Sequence, residues 1–155
     1  MLVNNVGAND AQSGDFKTLT DEIWQITLKV NLLAAVRLDC AFIPGMIESR
    51  KGAVIHIGSI VQRLPEAGAT LAYSTAEGAL RTYSKGLATL VAPKGVRVNM
   101  ITPGFIETSG ARKMMDEFQK QSGMNAGQAR ESIMNMIGGV PLGRPGMPEE
   151  VSEVW

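Results

Sequence analysis

Short apolar runs alternate along the chain with longer stretches in which apolar residues recur at helical spacing. The runs over residues 1–5, 53–58 and 96–101 are rich in β-branched side chains and predict buried strands. Residues 21–49 and 71–91 repeat apolar side chains every three or four positions, which predicts two long helices. This alternation is typical of an α/β fold with a parallel sheet and right-handed crossovers.

Proline and glycine mark the predicted ends of these elements. Pro44 and Gly45 lie inside the first helical stretch, where we expect them to kink or divide it. Pro93 and Gly95 follow the second stretch and end it. The methionine-rich stretch from about Ser109 to Gly138 is also predicted to be helical.

Composition restricts the classes of partner. With 155 residues, 45% hydrophobic and 19% charged, the chain has room for one globular domain with a sizeable core. Fifteen basic residues balance fifteen acidic ones, so no net field favours nucleic acid or an anionic membrane. We expect a cytoplasmic protein without signal peptide or membrane span, because no basic leader or long apolar run is present. The single cysteine, Cys40, is expected to be a small buried residue.

We expect the two ends of the sequence to be those of an incomplete domain. Met1-Leu2-Val3 begins in the middle of a strand, and the helix that opens at Pro148 stops after about two turns, at Trp155. We therefore expect residues 1–155 to form a single domain that is truncated at both ends.

Polar residues in apolar surroundings give the first candidate functional positions. The strand at the start runs into Asn5-Val6-Gly7, where small residues would let the backbone approach a ligand; a plain strand-to-turn transition is the alternative. Asn31 lies deep inside an apolar helix, where a buried amide needs a partner. A hydrogen bond between core elements is the alternative explanation for it.

Ser59 and Tyr73 form a second candidate pair. Ser59 directly follows a buried strand, and Tyr73 lies 14 positions later, at the start of a helix. A serine hydroxyl can donate a hydrogen bond to a carbonyl, and a tyrosine can act as a general acid. Either residue alone is more often structural. With Asn31, each stands on a separate element at the same predicted edge of the sheet.

These motifs, in this order, resemble the C-terminal two-thirds of the short-chain dehydrogenase/reductase family. Further matches are Pro103-Gly104-Phe105-Ile106-Glu107-Thr108 after the third strand and Pro141-Leu142-Gly143-Arg144-Pro145 before the last helix. The resemblance implies a partial Rossmann-like, doubly wound parallel sheet in three α/β/α layers. It also implies hydride transfer between NAD or NADP and a small alcohol or carbonyl substrate, without a metal ion.

The resemblance also implies roles for individual residues. Tyr73 would be the general acid/base, Ser59 would orient and polarise the carbonyl, and Asn31 would hold a relay water. The implied cofactor contacts are Asn5, Val6, Gly7, Tyr73, Pro103, Gly104, Ile106 and Thr108. The helices at 21–49 and 71–91 resemble those that pair across the family's dimer interface, so we expect a homo-oligomer.

Two features depart from the family. Glu77 occupies the position of the active-site lysine, whose charge lowers the pKa of the tyrosine; an ionised glutamate raises that pKa instead. Arg81, four residues on, favours Glu77 as an ordinary residue of the helix surface. The glycine-rich turn that binds the cofactor pyrophosphate is also absent from this sequence.

Two functional classes follow from these observations. One is an NAD(P)-dependent oxidoreductase of the short-chain type. The other is an inactive fragment or pseudoenzyme whose fold serves at most as an interaction scaffold, which Glu77 and the missing turn favour.

Overall fold

The computed structural model describes residues 1–9, 15–66 and 68–153. Its strands are β1 (Leu2–Asn4), β2 (Gly52–Ile57) and β3 (Val96–Ile101). Its α-helices are α1 (Asp21–Leu28), α2 (Ala34–Glu48), α3 (Leu71–Val91), α4 (Ser109–Ser122), α5 (Ala126–Met136) and α6 (Pro148–Ser152). A π-helical turn, Lys29–Leu33, joins α1 to α2. Residues 154 and 155, over which the last helix was predicted to continue, lie outside the described residues.

The three strands form one parallel sheet in the order β1-β2-β3. Leu2 pairs with Val54, and Val54 pairs with Val98 across the central strand. Each crossover passes through a long helical segment, as a parallel sheet requires. The predicted α/β fold with a parallel sheet is therefore confirmed, and the bounds of α3 and β3 agree with the prediction.

One face of the sheet forms the hydrophobic core of this region. Side chains of α2, the three strands and the end of α3 meet there. The buried members are Ile43, Val54, Val91, Val96 and Val98. Towards the carboxyl ends of β1 and β2 the same face becomes polar, because Asn4 and His56 are paired across the two strands and both are buried.

The helical stretch from α1 to α2 buries one narrow face. Its buried residues recur every four positions: Thr27, Asn31, Ala35, Asp39 and Ile43. The helix continues through Pro44 to Glu48, so it is not divided there, and the kink stays a prediction. Pro44 is exposed, so water can hydrate the carbonyl that the missing N–H leaves without a donor.

The opposite face of this stretch is apolar and exposed. Ile26 and Phe42 are 62% and 53% exposed, and Cys40 is exposed too, contrary to the prediction that it is buried. By length and composition alone, Asp21–Glu48 is long and apolar enough to cross a membrane, although a core helix of a soluble protein passes the same test. The absence of a membrane partner stays a prediction.

The chain divides into two compact units, Met1–Thr102 and Pro103–Trp155. In the second unit α4 packs against α5, and Ile106 forms a parallel bridge with Gly146. Glu107 pairs with Arg130 at 3.0 Å, which ties the start of this unit to α5.

Candidate active site

Ser59 and Tyr73 meet at the carboxyl edge of the sheet, in the first unit. Ser59 follows the end of β2 in extended conformation, and its Oγ accepts the Val61 N–H at 3.4 Å, which caps a short 3-10 turn. Tyr73 lies in the first turn of α3, where the Ser74 N–H donates to the Thr70 carbonyl. A hydrogen bond from the Ser59 side chain lowers the pKa of Tyr73. The structure therefore brings together the predicted pair.

Two other causes raise the pKa of Tyr73, and together they outweigh the effect of Ser59. Burial is the largest cause that raises the pKa of Tyr73, and the negative charge of Glu77 is the second. The phenol therefore stays protonated at neutral pH. Such a tyrosine can donate a proton, but it is a poor base.

Glu77 is buried, with 2% of its surface exposed. Burial raises the pKa of its carboxyl group to about 7, while the Ser59 backbone N–H, as a hydrogen-bond donor, lowers it. Arg81 is exposed, and among the described residues no ion pair joins it to Glu77. The prediction that Glu77 is an ordinary surface residue held by Arg81 is therefore wrong.

Gly58 provides the space that the Glu77 carboxyl group occupies. A Cβ at position 58 would lie 3.0 Å from Glu77 Oε2 and would collide with the end of Met100. Glu77 Oε2 has no hydrogen-bond partner among the described residues, although it is buried. The carboxyl group is thus held between the Gly58-Ser59 backbone and α3 with one oxygen unsatisfied.

Asn31 holds the turn that follows β1. Its Oδ1 accepts the Ala8 N–H at 2.9 Å, and its Nδ2 donates to the Ala8 carbonyl at 2.9 Å and to the Thr27 carbonyl at 3.0 Å. It lies in the π-helical turn, and π turns are frequent at functional sites. Backbone carbonyls therefore accept both amide hydrogens of Asn31. This agrees with the alternative explanation that Asn31 forms a hydrogen bond between core elements.

The turn that Asn31 holds is exposed to solvent, so a ligand could reach its backbone. Asn5, Val6 and Gly7 are exposed, and Val6 is 46% exposed. A Cβ at Gly7 would lie 3.2 Å from Asn31 Oδ1, so a larger residue would press on the clamp. An exposed backbone turn fixed from behind by Asn31 fits the predicted role of cofactor contact.

A buried polar network was missed by the sequence reasoning. Asp39 on α2 accepts the Asn4 Nδ2–H at 2.9 Å through Oδ1, and its Oδ2 lies 2.9 Å from His56 Nε2. Burial raises the pKa of Tyr83, and the charge of Asp39 and a hydrogen bond to it raise that pKa further. We call Asn4, Asp39, His56 and Tyr83 the Asp39 network. His56 in an otherwise apolar strand was the signal that could have revealed it.

The remaining predicted cofactor residues lie in the second unit. Pro103 and Gly104 form its first loop, and Ile106 pairs with Gly146. Thr108 Oγ1 accepts the Ala111 N–H at 3.2 Å and so caps α4. Within the described ranges, no group of three or more acidic, histidine or cysteine side chains could hold a metal ion.

Comparison with known proteins gives a consistent family. The model of the short chain dehydrogenase family matches residues 1–119. A 3-oxoacyl-[acyl-carrier-protein] reductase of Chlamydia trachomatis is 33% identical over 153 residues, which are 99% of this chain and 55% of that protein. The corresponding Escherichia coli enzyme is 33% identical over 152 residues, 98% of this chain and 55% of that protein. The chain spans about half the length of the curated relatives it matches.

Solved structures agree in fold. The L-sorbose reductase of Gluconobacter frateurii, in complex with NADPH and L-sorbose, superimposes with a TM-score of 0.87 at 34% identity, over 97% of this chain and 56% of that one. An actinorhodin polyketide ketoreductase with NADPH gives a TM-score of 0.81 at 28% identity, over 98% of this chain and 57% of that one.

Proposed function

Because the chain belongs to the short-chain dehydrogenase family, we propose that it forms the substrate side of an NAD(P)H-dependent carbonyl reductase. The observation that carries the proposal is the pair of Ser59 and Tyr73 at the carboxyl edge of the parallel sheet. Ligands of open α/β sheets bind outside this edge.

In this proposal Tyr73 donates the proton. Its raised pKa keeps the phenol protonated at neutral pH, which suits a general acid in the reductive direction. Ser59 orients and polarises the substrate carbonyl with its hydroxyl group, and negative charge on the carbonyl oxygen is stabilised by these two donors. The cofactor supplies the hydride that reaches the carbonyl carbon.

Asn31 is a positioning residue in this proposal. Its side chain fixes Ala8 through both backbone groups, so it sets the path of the turn at Asn5, Val6 and Gly7. A relay water at Asn31 would have to use backbone groups or the remaining lone pair of Oδ1, because both amide hydrogens are occupied.

The cofactor would lie against the exposed turn after β1 and near Tyr73. The solved relatives with NADPH support NADPH or NADH as the cofactor. Four residues of the second unit stay predicted cofactor contacts from the family resemblance: Pro103, Gly104, Ile106 and Thr108. The Thr108 hydroxyl is an acceptor for the helix cap and still has a hydrogen to donate.

The substrate would be a small molecule with a carbonyl or alcohol group. Two relatives reduce a 3-oxoacyl group on a carrier protein, and another binds L-sorbose, so their substrates share only the carbonyl. Neither nucleic acid nor membrane is a proposed partner, and a cytoplasmic location fits the composition.

The exposed apolar face of the first long helix supports a homo-oligomer. Ile26, Leu33 and Phe42 on this stretch and Leu90 on α3 are all exposed. Burying such side chains in a symmetric contact would remove apolar surface from water. We expect residues 1–155 to belong to one domain of each protomer.

The second candidate function is a non-catalytic scaffold, and Glu77 is the observation that favours it. A buried acid where the family has a lysine cannot neutralise a developing oxyanion. If the chain is such a scaffold, we expect the full gene product to bind NADPH weakly or not at all and to reduce no carbonyl.

Oxidation of NADPH by the full gene product, followed at saturating cofactor with a panel of ketones, aldehydes and 3-oxoacyl thioesters, separates the two functions. We expect measurable turnover and a loss of about 100-fold or more in kcat for Tyr73→Phe, because the proton donor is removed. Tyr83→Phe, on the same helix, is the matched control and should retain its rate. Absence of turnover with every substrate would support the scaffold instead.

A further inference from the structure

Glu77 is the buried titratable group that the proposed chemistry leaves without a role. It lies four residues after Tyr73 on α3, so the two side chains project from the same face of the helix about 6 Å apart. Ser59 acts on both groups, because its side chain lowers the pKa of Tyr73 and its backbone lowers the pKa of Glu77. Glu77 therefore belongs to the same site as the reacting groups.

The surroundings of Glu77 do not suit a carboxylate. Only 2% of the residue is exposed, and Oε2 has no partner among the described residues. A buried carboxylate with an unsatisfied oxygen is costly, and the usual outcome is that the group binds a proton. A neutral acid keeps the shape of the side chain and removes the charge.

The charged groups on the neighbouring elements do not compensate Glu77. On its own helix, Arg81 and Lys85 are exposed, and Lys29 on the π-helical turn is exposed too. On β2 the imidazole of His56 is engaged by Asp39. From β3 the apolar Met100 lies with Glu77 against Gly58. Among the described residues, Tyr73 is a titratable group on which the charge of Glu77 acts.

We propose that Glu77 works as a neutral carboxylic acid and that its ionisation switches off carbonyl reduction at Tyr73. This inference rests on the proposed reductase function and assigns the regulation of that site. Reduction places negative charge on the carbonyl oxygen, beside Ser59 and Tyr73. A negative charge on Glu77, whose side chain projects about 6 Å from that of Tyr73, opposes the developing charge and weakens Tyr73 as an acid.

The size of the effect follows from Coulomb's law. At this separation and at the effective dielectric constant of a protein site, one ionised carboxylate slows the step by roughly 30- to 100-fold. Since burial raises the pKa of Glu77 to about 7, the loss of rate is expected as pH rises through neutrality. A lysine at this position keeps its positive charge through neutral pH, so this loss of rate is not expected with a lysine.

The pH profile of kcat for NADPH-dependent reduction, measured between pH 5.5 and 9 on the full gene product, is one arm of the test. We expect kcat of the natural chain to fall by roughly 30- to 100-fold as pH rises over this range. In Glu77→Gln, kcat should stay at its low-pH value across the range. Glu77→Lys should be fastest at neutral and alkaline pH. A natural profile that is flat or rises with pH, or a fall that persists in Glu77→Gln, would overturn the inference.

The second arm does not depend on activity. Infrared spectra of the folded protein at pH 6 should contain the carbonyl stretch of a protonated carboxyl group, which disappears on titration to pH 9. The band should be missing in Glu77→Gln and unchanged in Glu48→Gln, which replaces an exposed glutamate. Lack of this band at pH 6 overturns the inference even in an active enzyme. If the band is present but no substrate is reduced, the reductase proposal fails and the protonation of Glu77 stands.

Discussion

Among the described residues of the first unit, two carboxyl groups are buried, and they are accommodated in different ways. Asp39 receives side-chain donors from two elements, Asn4 on β1 and His56 on β2, and its charge raises the pKa of Tyr83 on α3. Glu77 has the Ser59 backbone N–H and one oxygen without a partner. Burial alone therefore does not decide how a carboxyl group is accommodated. Both oxygens of Asp39 have side-chain partners, whereas Glu77 Oε2 has none among the described residues, which favours the neutral form of Glu77.

Replacing the acceptor of the Asp39 network should have the largest effect. Asp39→Ala leaves Asn4, His56 and Tyr83 facing a cavity without an acceptor, which we expect to lower the free energy of unfolding by about 3–5 kcal/mol. Denaturant unfolding measures it. Asp116→Ala removes an exposed aspartate and should change stability by less than about 0.5 kcal/mol. A loss below about 1 kcal/mol for Asp39→Ala would show that the network is not important for stability.

The second largest effect should be a pH dependence of the free energy of unfolding that is caused by Glu77. Folding raises the pKa of Glu77 from 4.5 to about 7, so the folded state binds this proton more tightly than the unfolded state. The resulting stabilisation is fully present below about pH 4.5 and is lost as pH rises through about 7. The free energy of unfolding should fall by about 3 kcal/mol over that window, relative to Glu77→Gln. Parallel curves for the two proteins would contradict this.

Filling the space at Gly58 should perturb the same carboxyl group. Gly58→Ala places a methyl group against Glu77 Oε2 and Met100, and the loss of stability should be about 1–3 kcal/mol. Gly78→Ala, in α3 directly after Glu77, meets nothing within 4 Å and should stabilise the helix by up to about 1 kcal/mol. Thermal or denaturant unfolding of both variants measures the difference. If Gly58→Ala and Gly78→Ala changed stability equally, the space at Gly58 would not be important for stability.

Removal of a single donor from the Asp39 network should have the smallest effect. Tyr83→Phe deletes the hydroxyl group that Asp39 acts on, which we expect to cost about 1–2 kcal/mol. In a double-mutant cycle, the same change made in Asp39→Ala should cost much less, because its partner is already gone. Additive effects of the two substitutions would place Tyr83 outside the network.

Local signals in the sequence were sufficient to predict where α3 ends and where β3 lies. The end of α3 at Val91 follows from Pro93 and Gly95, and the β-branched run at Val96–Ile101 gives β3. Ser59 and Tyr73 were also predictable, because strand ends of a parallel sheet share one edge. The roles of these two residues stay proposals.

Tertiary contacts decided what the sequence could not show. Glu77 with Arg81 has the spacing of an exposed ion pair, and only the empty space at Gly58 explains why the glutamate is buried. Asp39 is 35 residues from Asn4 and 17 from His56, so no local pattern connects them. Asn31 and Asp39 are eight residues apart, with the buried Ala35 midway between them, so their shared helix face was a readable sign that both are buried.

Titration of Glu77 itself tests the central claim most directly. Carbon-13 NMR of the protein labelled at the glutamate carboxyl carbons, assigned by comparison with Glu77→Gln, follows each carboxyl group through the pH range. We expect one signal, missing in Glu77→Gln, to titrate with a midpoint near pH 7. A midpoint near 4.5 for Glu77 would contradict the account, because the site would then hold a carboxylate at neutral pH.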